Sequence, residues 1–182
     1  MLTHLRHPKR VEEVKMPEND LVNILLVDDD PDCRLFIRDA IEDGNLCNAV
    51  YEVEDGKEAL DFLCRRDGHS AAPEIGLVYL DIEMPGMSGQ EVLKAIRSDK
   101  CFDNVPVVMM TGVTDDREKA EAAANGANSY TVKPHDPVEF MKTVMEATNY
   151  WIDIHKRPSC VTDRPAKVQA ETKKGACEGG QP

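Results

Sequence analysis

Four short apolar runs, each closed by a polar residue able to hold charge, constrain this sequence more than any other feature. The run over 24–27 closes in Asp28-Asp29-Asp30, that over 76–80 in Asp81, that over 105–110 in Thr111, and that over 129–132 in Lys133-Pro134. Strand ends on one edge of an open parallel sheet are neighbours, and such sheets bind ligands in the crevice beyond those ends. Residues far apart in sequence therefore converge on one pocket.

Helical spacing fills the intervals between the runs. Pro31 follows Asp30 as a first-turn proline after a capping residue, Cys33, Phe36, Ile37, Ala40 and Ile41 recur at helical intervals, and Gly44 stops the helix. Residues 49–53 read as a second strand, and Ala59, Leu60, Phe62 and Leu63 as the apolar face of a second helix. A turn-rich link, Pro85-Gly86-Met87-Ser88-Gly89, leads to a helix marked by Val92, Leu93 and Ile96. Val107, Val108, Met109 and Met110 show no alternation, as expected of a central strand covered on both faces. A short charged helix over 115–124 ends at Gly126, and Val138, Met141, Val144, Met145, Thr148 and Ile152 mark a last helix over about 137–153. Five strands alternating with five helices, joined by right-handed crossovers, predict an α/β doubly wound three-layer sandwich. By analogy with flavodoxin-like sheets, the five parallel strands of this (βα)5 unit are expected in the order 2-1-3-4-5.

The length of 182 residues suits one domain with tails. The folded body is expected over 21–155, with a flexible extension over 1–20 and a disordered tail over 156–182. No apolar run approaches the ~20 residues that span a bilayer, and the N-terminal stretch lacks a signal-peptide core. The six cysteines form neither a Cys-x-x-Cys pair nor a zinc spacing with the five histidines, so reduced cytoplasmic thiols are the expectation. The net charge of -12 is concentrated in the body, where 12 basic face 27 acidic side chains. Nucleic acids are bound largely through Lys and Arg on phosphates, so direct nucleic-acid binding is not expected.

Carboxylates gathered at one strand edge repel, at roughly 4 kcal/mol for a pair ~4 Å apart in an effective dielectric of 20. Magnesium, with its preference for carboxylate, water and phosphate oxygens, would compensate, and Lys133 supplies a second, fixed positive charge. Phosphoryl transfer needs little beyond positioning and neutralised charge, so cation, lysine and hydroxyl form a sufficient kit. In that chemistry Asp81 is the nucleophile, Thr111 the donor to a phosphoryl oxygen, and an aspartyl phosphate the product.

From about Asn23 to Ile154 the sequence resembles the response-regulator receiver domain of two-component signalling. The resemblance rests on Ile24-Leu25-Leu26-Val27-Asp28-Asp29-Asp30, on 80–89 (Leu80-Asp81-Ile82-Glu83-Met84-Pro85 through Gly89), on Met110-Thr111-Gly112 and on Tyr130-Thr131-Val132-Lys133-Pro134. It implies a stand-alone regulator that is not an enzyme in the usual sense, phosphorylated on Asp81 with Mg2+ by a sensor histidine kinase or phosphotransfer protein. It further implies Asp29 as a direct magnesium ligand, Asp28 as a ligand through water, Glu83 as a ligand through its backbone carbonyl, and Thr111 with Tyr130 as the switch pair. Ala59-Leu60-Asp61-Phe62-Leu63 and Tyr150-Trp151-Ile152-Asp153 resemble the single-domain partners of bacterial phytochrome kinases. Those relatives imply a homodimer through the fourth helix, fifth strand and fifth helix. Glu83 is an acid beside the path of an attacking water and is expected to affect phosphate lifetime.

Two other functions compete. A haloacid-dehalogenase-like phosphatase also uses a strand-end aspartate, magnesium and a lysine, but calls for Thr or Val where this sequence has Asp32. A pseudo-receiver would bind partners without taking phosphate, although every residue of the kit is present. A calcium loop starting at Asp28 fails, because its sixth position is Cys33 and its twelfth Asp39.

Overall fold

The computed structural model describes residues 22–44, 49–112 and 115–154. The expected extension over 1–20, the tail over 156–182 and Cys47, Cys160 and Cys177 lie outside the described residues.

Strand β1 (Ile24–Val27) leads to α1 (Pro31–Asp43), β2 (Val50–Val53), α2 (Gly56–Leu63), β3 (Leu77–Asp81) and α3 (Gly89–Ser98). A 3-10 turn (Lys100–Phe102) precedes β4 (Val107–Thr111), α4 (Asp116–Ala124), β5 (Ser129–Val132) and α5 (Pro137–Asn149). The five strands form one sheet in the order β2-β1-β3-β4-β5 with every pair parallel, as expected from the sequence.

Period-two alternation divides the strands between two cores. Leu25, Val27, Val78, Leu80, Val107 and Met109 face α2, α3 and α4 through Phe62, Leu93, Ile96 and Ala122. Ile24, Leu26, Leu77, Tyr79, Val108 and Met110 face α1 and α5 through Ile37, Ile41, Phe140 and Val144. Each Val, Leu, Ile, Met or Phe side chain among them contributes about 1.5–3 kcal/mol when fully buried. β1, β3 and β4 are buried throughout, which explains their unbroken apolar runs.

Capping fixes where the helices begin. Asp30, Asp55, Asp115 and Asp136 are N-caps of α1, α2, α4 and α5, and Ser88 with Glu91 makes a capping box on α3. The end of the last helix departs from the sequence expectation. The last α-helix ends at Asn149 rather than about 153, and a π-helical turn, Tyr150–Ile154, continues it with Tyr150 edge-on to Trp151. The connection from β1 leaves to α1 and that from β3 to α3, on opposite faces, so a crevice opens at their carboxyl ends.

Candidate functional site

Strand register brings the four motifs together. Asp28 follows β1 directly, Asp81 and Thr111 are the last residues of β3 and β4, and Lys133 follows β5. Asp81 pairs with Met110 and Thr111 with Val132, so the backbones of both site residues remain locked in the sheet. The Lys133 amide donates to the Thr111 carbonyl at 2.6 Å and carries the lysine over the edge.

Lys133 Nζ lies 2.6 Å from Asp28 Oδ2 and 2.8 Å from Asp81 Oδ1, and all three side chains are largely buried. Oδ1 of Asp28 accepts from the Asp30 amide at 3.0 Å. Asp29 stands exposed beside them, and Asp28, Asp29 and Asp81 each offer a carboxylate oxygen within 4.8 Å of the others. Three hard oxygen donors at that separation fit magnesium, which also takes waters and phosphate oxygens.

Burial pushes the Asp81 carboxyl up to about 6, with Asp28 and Asp29 adding to the rise and Lys133 opposing it. Burial likewise works against the Lys133 charge, but Asp81 and Asp28 outweigh it and hold the ammonium above the ordinary lysine range. Asp30, whose carboxylate caps α1, is held below the ordinary range chiefly by the Asp32 amide. The third acid of the run is therefore a helix cap. Burial pushes the Cys33 thiol up to about 12, well above the ordinary thiol range.

Thr111 is fully buried and Tyr130, on β5, half-buried. Both hydroxyls donate to Glu118 Oε2 on α4, at 3.5 and 3.4 Å, and Lys119 Nζ lies 5.6 Å from the centre of the Tyr130 ring. Burial raises the Tyr130 phenol, with the Glu118 charge acting in the same direction and a hydrogen bond with Thr111 opposing it. Glu83, two residues beyond Asp81 in the link to α3, has an exposed side chain.

The structure thus brings Asp28, Asp29, Asp81 and Lys133 to one point, with Thr111 and Tyr130 paired beside it. Sequence reasoning missed Glu118 and Arg34. Arg34 donates to the Asp28 carbonyl at 2.5 Å, and its position on the stripe of Ile37 and Ile41 was a readable signal of a buried cation. Glu118 had no such signal, because α4 carries several acids and only the chain crossing selects one.

The arrangement offers a nucleophilic carboxylate, a fixed cation, oxygen donors for a divalent metal and a hydroxyl pair linked to a surface helix. The family model described as the response regulator receiver domain matches residues 24–145. The probable methanogenesis regulatory protein FilR2 of Methanothrix harundinacea is 33% identical over 136 residues, covering 74% of this chain and 86% of that protein. Among solved structures, the phosphorylated cyanobacterial phytochrome response regulator RcpA superposes with a TM-score of 0.73 at 25% identity, over 76% of this chain and 99% of that one. The bacteriophytochrome response regulator RtBRR does so at 0.61 with 32% identity, over 76% and 85%.

Proposed function

The chain belongs to the response regulator receiver domain family of two-component signalling, and on that premise we propose that it is a stand-alone relay phosphorylated on Asp81. Receiver domains are signalling domains that receive phosphoryl groups from sensor histidine kinases and bind Mg2+ at an acidic pocket. The observation that carries the assignment to Asp81 is the shared ammonium of Lys133, 2.6 Å from Asp28 and 2.8 Å from Asp81. It aligns the nucleophile and supplies positive charge where a phosphoryl oxygen must sit.

In the proposed reaction an Asp81 carboxylate oxygen attacks the phosphorus of a phosphohistidine on a kinase or phosphotransfer protein. The new O–P bond forms as the P–N bond breaks, and the histidine nitrogen leaves with the electron pair and takes up a proton. Asp29 would hold Mg2+ directly, Asp81 through its carboxylate, Asp28 through water and Glu83 through its backbone carbonyl. When bound, the ion supplies charge neutralisation for the phosphoryl oxygens. Lys133 holds Asp81 and the incoming group in register, and Thr111 donates its hydroxyl to a phosphoryl oxygen. That donation draws Thr111 away from Glu118 and Tyr130, so Tyr130 re-orients and the α4–β5–α5 surface changes. Output is then a change in protein contacts, with no catalytic turnover on other substrates.

The proposal includes a cytoplasmic setting, a folded unit over 21–155 flanked by segments outside it, no direct nucleic-acid contact, and a homodimer through the α4–β5–α5 face. Val138 on α5 and Tyr150 beyond it are large exposed apolar side chains, which supports a contact there. Among the described residues no helix is long and apolar enough to cross a membrane. Likeness to RcpA over nearly its whole length supports the stand-alone reading.

Intact-mass analysis after incubation with acetyl phosphate tests the proposal. One Mg2+-dependent phosphoryl group on the native chain, absent from Asp81→Asn, is expected. Continuing release of free phosphate unaffected by that substitution would point to a phosphatase, and no modification at all to a binding module.

A further inference from the structure

An arginine outside the phosphoryl-transfer kit holds the peptide that joins the first two acids. Arg34, in the first turns of α1, is 8% exposed, and its Nη1 donates to the carbonyl oxygen of Asp28 at 2.5 Å. Its Nε lies 3.3 Å from Glu52 Oε2 on β2, and its Nη2 lies 3.5 Å from Glu54 Oε1 just beyond β2. Arg38, one turn later, takes the other oxygen of Glu52 at 2.7 Å. One planar fork therefore ties the end of β1 to β2 and to the loop that follows it.

A guanidinium is costly to bury unless its donors are satisfied, and here one of them is spent on a backbone carbonyl rather than a carboxylate. The remaining polar atoms of Asp28 are fixed as well: its amide donates to Val53 O at 3.3 Å, and its carboxylate is held by the Asp30 amide and by Lys133. Turning the Asp28–Asp29 peptide would break the Arg34 bond. The direction of that peptide decides where the next side chain, Asp29, leaves the backbone.

We infer that Arg34 is a positioning residue for the divalent cation: by fixing the Asp28 carbonyl it aims the Asp28 and Asp29 carboxylates at Asp81. The inference rests on the proposed metal site. Outer groups that orient ligands typically change metal affinity by roughly ten- to a hundred-fold when removed. The direction of the effect separates geometry from charge. As a bare positive charge close to the cluster, Arg34 opposes cation binding, and its removal would tighten Mg2+. As a positioning group, its removal weakens Mg2+.

Calorimetric titration of Mg2+ into the full chain, at a temperature where circular dichroism shows every variant folded, decides between them. Arg34→Met and Arg34→Lys are both expected to weaken Mg2+ by roughly ten-fold, the lysine because it keeps the charge and loses the fork. Arg38→Met, which removes a Glu52 partner without touching Asp28, is expected to leave the affinity unchanged. Acetyl phosphate labelling of the Arg34 variants should recover at saturating Mg2+, as befits a residue that does not touch the reacting atoms. If Arg34→Met does not fold, Arg34→Lys decides. Native affinity in Arg34→Lys, or tighter binding in Arg34→Met, overturns the inference alone. Failure of the native chain to take up Mg2+ overturns the metal site with it.

Discussion

Gly89, the first residue of α3, packs against the backbone of Asp81: a Cβ built on it would overlap the Asp81 carbonyl oxygen and come within 3.0 Å of Ile82 Cα. Its amide donates to Ile82 O at 3.0 Å, closing the link between β3 and α3. The backbone of Asp81, the proposed phosphoacceptor, is therefore clamped by the start of the next helix. Gly89→Ala is expected to lower stability by about 3 kcal/mol, as overpacking against backbone does, and to depress acetyl phosphate labelling even at temperatures where the variant is folded. Thermal denaturation alongside labelling measures both.

Asp81 carries a pH signature. Its carboxyl is pushed up to about 6, above the ordinary aspartate range, so between about pH 4 and 6 the folded state holds a proton that the unfolded chain has released. Its contribution to stability is present in full below about pH 4 and lost as pH rises through about 6. Asp81→Asn, which never ionises, should then be more stable than the metal-free native chain by about 2 kcal/mol at pH 7 and about equal to it at pH 4. Urea denaturation across that range, with chelator present, reads the difference.

Lys133 neutralises two buried carboxylates at once. Lys133→Met leaves Asp28 and Asp81 facing each other without a cation and should cost about 3 kcal/mol in the absence of metal. Because Mg2+ would occupy the same charge deficit, its addition should raise the melting temperature of this variant more than that of the native chain. Equal shifts would separate the lysine from the metal site.

Glu83 is exposed two residues beyond Asp81, and the proposed relay gives its carboxylate the role of taking a proton from a water that attacks the phosphoryl group. Glu83→Asn should retain phosphate longer after excess acetyl phosphate is removed. Equal decay of the two proteins would dismiss a role for this side chain.

The strand ends were readable because apolar runs must stop where the sheet meets water, and the polar residue at each stop sits on one edge. The structure moves β3 and β4 slightly later than the runs suggest, ending them on Asp81 and Thr111 themselves, since the ladder still pairs those backbones. Arg34 sits on the apolar stripe of Ile37 and Ile41, so its burial was legible, but its partners, a backbone carbonyl and two glutamates from β2 and the loop after it, are set only by the chain crossing. The π-helical turn after Asn149 has no compositional mark, because widening a helical turn by one residue changes the backbone path without requiring glycine or proline. Asp30 shows the converse: its place before Pro31 marked it as the capping residue, and its carboxylate accepts from the Asp32 amide as that role requires.

The most direct measurement is reductive trapping of the acyl phosphate. After acetyl phosphate and Mg2+, borohydride cleaves an aspartyl phosphate and converts that residue to homoserine, which peptide mass spectrometry locates. Homoserine at position 81, and at no other aspartate, is the predicted result. Trapping at Asp28, Asp29 or elsewhere, with Asp81 intact, would contradict the assignment of the nucleophile.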